Sequence, residues 1–292
     1  MVIGIIGCGI VGGAIRHVFQ KNTEILICDP KIEDSVSLGE MYARCSLIFV
    51  CVPTPMRLSD QQLDATFLDE TICSLAALYI EARFSNPVVC IKSTVTPDKL
   101  REYTDLTPLR LTMSPEFLTE ANYLEDAVNM KLLVVGGDPI DCKVVTKAFS
   151  SRSICALNYK VRIVDIVTAG MLKYMQNCFL ALKVTFMNQM FSIFEKSESK
   201  DPWDYLIECF HIDPRFGCSH GKVPGQDGDF GWGGKCFPKD VNAMICYAES
   251  LGVDLDIMKQ SWLINQRTRN NKDWLLIEGA TSNTGVEDES AH

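Results

Sequence analysis

The stretch Gly233-Gly234-Lys235-Cys236-Phe237-Pro238-Lys239-Asp240 gathers the residue types that covalent catalysis uses. Glycines just ahead of a cysteine let a ligand approach the backbone closely. Cys236 leads into a helical pattern whose first turn follows Pro238, and a helix N-terminus with nearby lysines lowers a thiol pKa. Asp240 lies one turn further on, where it could act as a general base or orient water. Spacing alone leaves this stretch ambiguous, because one cysteine among 13 is more often packing than nucleophile.

A second constellation opens the chain. Gly7-Cys8-Gly9-Ile10-Val11-Gly12 follows an apolar run directly and begins a helical pattern. In such a turn the first glycine makes the bend, the second lets a pyrophosphate approach the backbone, and the third packs helix on strand. The helix start, with the amides of Ile10 and Val11, then offers free N–H groups and a positive dipole end to phosphate. Asp29 closes the next apolar run, at the distance where an acid bonds the adenosine ribose hydroxyls. A carboxylate there repels the extra phosphate of NADP, so the expected cofactor is NAD. A glycine turn without the flanking strand, helix and acid would carry no such reading.

Other polar residues stand at telling positions. Lys173 and Asn177 are four apart in a helical pattern, so they share a face. Their neighbours Met171, Leu172, Met175 and Leu180 point to burial, and a lysine in such a setting is usually paired or functional. The alternative is a solvated lysine on a polar face. Glu116 and Glu120 are also four apart, and on spacing alone either is a helix cap or a surface charge. Thr54 and Thr94 follow apolar runs, at the carboxyl edge where open α/β sheets bind ligands. Turn formation beside Pro53, Pro55 and Pro97 explains them equally well.

The elements that must hold these residues are legible in outline. Strands are predicted at Val2–Ile6, Glu24–Cys28, 47–52, 88–92 and 132–135, with helices near 10–20, 67–83 and 140–149. This alternation implies right-handed crossovers and a parallel sheet covered on both faces, a Rossmann-like doubly wound α/β fold over residues 1–160. From 163 to 198 no proline and a single glycine interrupts the pattern, which predicts an unusually long helix. Another follows Asp201-Pro202, then a glycine-rich loop over 217–234, a helix near Pro238 and one over 255–277. Residues 161–278 thus read as a helical second domain, and 279–292, small, polar and acidic, as a disordered tail.

Composition narrows the field of partners. The chain has 292 residues and a formal net charge of −9, which disfavours nucleic acid and anionic membranes as partners. An anionic small ligand is still allowed, because local donors bind phosphate on an acidic protein. The cysteines are scattered without a C-x-x-C pair, and Cys28, Cys51 and Cys90 sit in apolar runs. Free thiols in a reducing cytoplasm are expected, with neither disulfides nor a metal site. The apolar start lacks the basic residues of a signal peptide, and no stretch is long and apolar enough to span a membrane.

Taken in order, the motifs resemble those of the UDP-glucose/GDP-mannose dehydrogenase family, most closely its UDP-glucose 6-dehydrogenase branch. They are the glycine fingerprint, Val52-Pro53-Thr54-Pro55, Lys92-Ser93-Thr94-Val95 and Ser114-Pro115-Glu116-Phe117-Leu118-Thr119-Glu120. Then come Lys173-x-x-x-Asn177-x-x-Leu180-Ala181, Asp213-Pro214-Arg215-Phe216-Gly217 and the cysteine loop. Together they cover residues 1 to about 276, and they turn the reading of Cys236 from packing to nucleophile.

The resemblance implies a four-electron oxidation of a sugar primary alcohol, with UDP-glucose going to UDP-glucuronate in polysaccharide biosynthesis. Cys236 would trap the aldehyde as a thiohemiacetal that becomes a thioester. Lys173 and Asn177 would stabilise the oxyanion, and Glu120 would activate the hydrolytic water, helped by Asp240 and Thr94. Thr54, Thr94, Glu120 and Lys239 would contact NAD. Glu116, Phe117, Leu118, Gly225, Asp229 and Gly233 would bound the sugar nucleotide, together with Lys173 and Asn177. Arg215 would reach across a subunit interface to the substrate, which implies at least a homodimer built on the long helix.

Some positions depart from the family pattern. Thr119 stands where many relatives carry arginine, Ala121 where glycine is frequent, and Gln189 where glutamate usually follows asparagine. Gly170 replaces a glutamate, a helix-weakening choice of about 1 kcal/mol against Ala. The resemblance also implies a third α/β domain that helps hold the nucleotide. Here the sequence stops soon after Trp274, which leaves two expectations: a compact branch that closes its substrate site differently, or a chain that has lost affinity or activity. Two other classes compete: an inactive NAD-binding homologue, which needs none of Cys236, Lys173, Asn177 and Asp240, and a two-electron hydroxy-acid dehydrogenase, which needs no thiol. Within the family, GDP-mannose and UDP-N-acetylhexosamines are the alternative substrates.

Overall fold

The computed structural model describes residues 1–81, 85–156 and 158–283. The β-branched runs expected as strands do pair. In chain order, β1 (Val2–Ile6), α1 (Ile10–Phe19), β2 (Glu24–Cys28), α2 (Leu38–Arg44) and β3 (Leu47–Val50) come first. After the two-residue β4 (Met56–Arg57) come α3 (Thr66–Glu81), β5 (Val88–Ile91), α4 (Pro97–Leu106) and β6 (Arg110–Met113). Then α5 (Tyr123–Val128), β7 (Leu132–Gly137), α6 (Pro139–Arg152) and β8 (Lys160–Val164) complete the α/β part. Seven strands form one sheet in the order β2-β1-β3-β5-β6-β7-β8.

Ile3, Ile5, Leu47, Phe49, Val88 and Cys90 alternate along their strands, so one face of the sheet meets α1 and α6 in a continuous core. Phe19, Phe49 and Phe149 meet there with ring centroids 5.0–6.1 Å apart. On α6, Asp138 accepts the Ile140 N–H at 2.8 Å and Pro139 fits the first turn, so the helix starts ahead of the apolar run. The predicted helix over 67–83 is α3, and its last two predicted residues lie outside the described ones.

The sheet departs from an all-parallel arrangement at one junction. β6 and β7 run antiparallel, with Thr112 opposite Gly137 and Met113 opposite Gly136. Sequence periodicity missed β6, because Arg110 and Thr112 interrupt its apolar pattern, and it missed β8, an edge strand with an exposed face. β8 pairs in parallel with β7, Leu132 opposite Lys160. A Cβ on Gly136 would lie 2.7 Å from Ala169 Cβ, so β7 touches the long helix α7 (Ile166–Phe194) near its start.

These contacts move the domain boundary. One unit comprises Met1–Thr54 and Asp64–Lys173, and the other comprises Pro55–Leu63 and the chain from Tyr174 onward. The division expected near residue 160 therefore falls at 173, because β8 and the start of α7 are bonded into the first unit. In the second unit, α7 continues and is followed by α8 (Trp203–Ile212), α9 (Phe237–Ser250) and α10 (Asp256–Thr268). Trp232, Trp262 and Trp274 pack with tilted rings in its core, beside Tyr174, Val241 and Met258.

The predicted helix over 255–277 is broken. α10 ends at Thr268, Arg269 turns to extended backbone, and a single 3₁₀ turn follows at Asp273–Leu275. The expected tail from 279 is also corrected in its first residues. Thr281–Ser282 forms β9, paired in parallel with β4, and Ala280 is buried. Residues 284–292 of that tail lie outside the described residues. All 13 cysteines are free thiols. Among the described residues no helix is long and apolar enough to cross a membrane.

Candidate functional site

The glycine fingerprint makes the tight turn between β1 and α1. Gly7 has φ +82, and a Cβ there would lie 2.8 Å from the Cys51 carbonyl oxygen. A Cβ on Gly12 would fall 2.0 Å from Gly7 O, so helix and strand approach only because Gly12 lacks one. Gly9 differs: among the described residues nothing lies within 4 Å of its would-be Cβ. Open space there lies beside the start of α1, and the first N–H groups of a helix, which have no intrahelical partner, are a general anion site. Asp29, at the end of β2, accepts the Cys8 N–H at 2.6 Å and the Lys31 N–H at 2.8 Å. Its carboxylate thus fixes the turn at the edge where a ribose would be read.

Two further loops at this carboxyl edge are tied together. The Thr54 hydroxyl, buried, donates to Thr94 O at 2.8 Å, and Ser93 Oγ donates to Val52 O at 2.7 Å. Thr54 therefore joins the loops after β3 and β5, while Thr94 is half-buried. Lys92 is buried, its ammonium 3.3 Å from Ser114 Oγ and 3.4 Å from Pro115 O. Burial pushes its pKa down, against the pull of Cys90, Cys51 and Glu116.

Glu116 and Lys173 form a buried ion pair, which spacing did not reveal. Lys173 Nζ donates to Glu116 Oε1 at 2.8 Å and to Glu116 O at 2.9 Å, and Glu116 Oε2 accepts the Leu118 N–H at 2.8 Å. Burial alone would raise the Glu116 carboxyl, but the Lys173 charge and these hydrogen bonds hold it below the usual range. Phe117 and Leu118 are half-buried, whereas Glu120 is exposed at the start of a 3₁₀ turn. Thr119 donates from both its N–H and its hydroxyl to Asp126. Gly170 also has a packing reason: a Cβ would meet Leu100 Cδ1 of α4 at 2.6 Å.

In the second unit, Asp240 is fully buried. One carboxylate oxygen accepts from Asn177 Nδ2 and the other from Lys239 Nζ. This arrangement suits Asp240 to orienting its two partners. Cys236 is exposed at the N-cap of α9, with Pro238 in the first turn and the Asp240 N–H on its carbonyl at 2.9 Å. Lys239, expected at the cofactor, is buried against Asp240.

The glycine-rich loop is held by residues that no motif singled out. Asn188 accepts the Gly231 N–H, and Asn265 takes both the N–H and the carbonyl of Trp232. Arg269, buried, bonds Asp227, Asp273 and the Asn271 carbonyl. Gly233 is a close-approach position, since a Cβ would lie 2.2 Å from Asp273 Oδ1 and 2.5 Å from Arg269 Nε. Gly225 closes a turn with Asp229, whose side chain accepts the Phe230 and Asn271 N–H groups. Lys183 donates to the carbonyls of Phe216, Gly217 and Ser219. Arg215 is 79% exposed in its side chain and paired with Asp213. Among the described residues no His, Cys, Asp and Glu cluster could hold a metal ion.

Comparison with known proteins adds a lineage to this geometry. Residues 29–151 match the NAD binding domain of the UDP-glucose/GDP-mannose dehydrogenase family, and residues 167–267 match its central domain. UDP-glucose 6-dehydrogenase YwqF of Bacillus subtilis (strain 168) is 27% identical over 282 residues, covering 93% of this chain and 58% of that protein. The chain spans about half the length of the curated relatives it matches. A UDP-glucose dehydrogenase from the hyperthermophilic archaeon Pyrobaculum islandicum superposes with a TM-score of 0.79 at 22% identity, covering 91% of this chain and 68% of that one. The 3-hydroxyisobutyrate dehydrogenase of Mycobacterium tuberculosis superposes at 0.72 and 14% identity, covering 91% and 92% respectively. Both likenesses speak to fold alone, so the chemistry rests on side chains.

Proposed function

The chain belongs to the UDP-glucose/GDP-mannose dehydrogenase family, and from that premise we propose that it oxidises the C6 alcohol of UDP-glucose to the carboxylate through a covalent adduct on Cys236. The observation that carries this reading is the buried Asp240 carboxylate, which holds the Asn177 amide and the Lys239 ammonium one turn beyond an exposed thiol at a helix N-terminus. A module that merely bound a dinucleotide would have no use for that arrangement. A two-electron dehydrogenase shares the fold but needs no thiol.

Gly7, Gly9, Gly12 and Asp29 hold the dinucleotide, with Thr54 bracing the adjoining loops. NAD, when bound, accepts hydride from the sugar carbon, one NAD for the alcohol and a second for the Cys236 adduct. The Cys236 thiolate adds to the aldehyde carbon, forming a C–S bond and moving the carbonyl pair onto oxygen. Lys173, fixed by Glu116, and the remaining amide N–H of Asn177 stabilise that oxyanion. After the second oxidation a water molecule attacks the thioester carbon, the C–S bond breaks, and thiolate and acid are released. Glu120, exposed and outside the Glu116–Lys173 pair, serves as base for that water.

Gly225, Asp229 and Gly233 shape a loop for the sugar nucleotide, and Arg215 serves the neighbouring subunit of a homodimer built on α7. The free thiols are in keeping with a reducing compartment such as the cytoplasm. The test is an NADH-release assay over UDP- and GDP-sugars, counting NADH per sugar. Two NADH per UDP-glucose, with uronic acid released, is the expected result. One NADH with free aldehyde would replace this reading by the two-electron one.

A further inference from the structure

Two hydrogen-bonded tethers and one close approach join the turn ahead of Cys236 to the segment after α10. Gly234 N–H donates to both oxygens of Asp273, at 3.1 and 3.2 Å. Lys235 Nζ donates to the Glu278 carbonyl at 3.1 Å. Gly233 lies so close to Asp273 and Arg269 that it has no room for a Cβ. The segment is anchored in turn: Arg269 bonds Asp273 Oδ2 at 3.0 Å, Trp274 is buried in the tryptophan core, and Met56 N–H donates to Ala280 O at 3.0 Å. Gly234 has φ +73, which favours glycine, and among the described residues nothing lies within 4 Å of its would-be Cβ, so the Asp273 bonds to its N–H are what hold it on that side.

We propose that residues 269–282 form a brace that sets the position of Cys236, with Asp273 as the central positioning residue and Lys235 as a second tether. Asp273 touches neither substrate nor cofactor in this assignment; it acts through the Gly234 amide. The inference rests on the assignment of Cys236 as nucleophile and adds what aims it. Capture is the step most exposed to misplacement, because thiolate and aldehyde carbon must meet at near-attack distance. When the thiolate is displaced, the C–S bond does not form and the aldehyde leaves after one oxidation.

The test measures how oxidation is partitioned, which a loss of folded enzyme would not alter. In Asp273→Ala, NADH per UDP-glucose should fall from two toward one, and the missing acid should appear as aldehyde trapped by hydroxylamine. The KM for NAD should stay within about twofold. Asp273→Asn, which keeps an acceptor oxygen, should lie between wild type and Asp273→Ala. Lys235→Met removes a tether at the surface, so it remains informative should Asp273→Ala fail to fold, and it should also leak aldehyde. A ratio of two in both Asp273→Asn and Lys235→Met, with wild-type kcat, overturns the brace. A wild type that itself stops at one NADH points instead to failure of the Cys236 assignment.

Discussion

Lys173 and Glu116, 57 positions apart in the chain, are locked together by two atoms of the same residue: the Glu116 carboxylate and its own backbone carbonyl both accept from one ammonium. A lysine held this way is buried and fixed in position, as the proposed oxyanion stabiliser needs to be. Lys173→Met should therefore lower kcat about 10²–10³-fold, the usual loss for removing one such donor. It also leaves the Glu116 carboxylate buried without its partner, which costs on the order of 3–5 kcal/mol.

The pair predicts a pH dependence with a definite sign. Glu116 titrates lower in the folded protein than in the unfolded chain, where a glutamate binds its proton near about 4.3. Its contribution to stability is fully present above that unfolded value and is lost as pH falls through the folded one. Urea melts of wild type and Glu116→Gln across this acid range should diverge, with the wild type losing more stability on acidification. Parallel pH curves for the two proteins would show that the pair contributes nothing.

The parts legible in the sequence were those whose information is local. β1 and β2 are apolar runs bounded by glycine or acid, and the fingerprint is read from its glycines together with the strand before, the helix after and Asp29, all within the first 29 residues. β6 and β8 escaped because burial in one and edge exposure in the other are set by neighbouring strands, not by their own alternation. In the candidate site, residue type and spacing left Cys236, Lys173, Asn177 and Asp240 open, and it was the order of family motifs that singled them out. The clasp on the glycine-rich loop did not show, since Asn265 reaches Trp232 across 33 positions and Arg269 reaches Asp227 across 42. Asn and Arg in a helix end look like surface until the chain is folded.

The fingerprint glycines should respond differently to the same added methyl group. Gly12→Ala puts a Cβ against immovable backbone at 2.0 Å, so it should destabilise by roughly 1–3 kcal/mol or more. Gly9→Ala meets no atom of the described residues, so its Tm should match wild type while NAD affinity falls. Asp29→Ala should weaken NAD and erode the preference over NADP, which in wild type should be strong. Calorimetric titration and Tm together read all three. Equal Tm losses at Gly9 and Gly12 would refute this division of labour, and comparable wild-type efficiency with both cofactors would remove the role of Asp29.

Along α7, Met175, Phe179, Phe186 and Ile193 are all exposed and fall within one face at spacings of four and seven. Four large apolar side chains in one line are more than a solvated helix normally shows. Wild type should sediment as at least a dimer, and Phe179→Glu should shift it toward monomer. Arg215→Ala should raise the KM for sugar nucleotide without changing that distribution. A fully active monomer would leave Arg215 without the assigned role across subunits.

The sharpest expectation concerns Cys236 itself. In Cys236→Ser the side chain can still add to the aldehyde, but an alkoxide is a far poorer leaving group than a thiolate. An ester at that position should hydrolyse slowly, so the protein should gain the mass of the uronyl group while acid release stalls. In Cys236→Ala no bond to the protein forms, and no adduct should be seen by mass spectrometry. NAD binding should persist in both, because the fingerprint and Asp29 are untouched. The decisive quantity is acid formed per enzyme over many turnovers. If Cys236→Ala continues to release uronic acid steadily, the thiol is not the nucleophile, and the roles given to Lys173, Asn177 and Asp240 around it fall together.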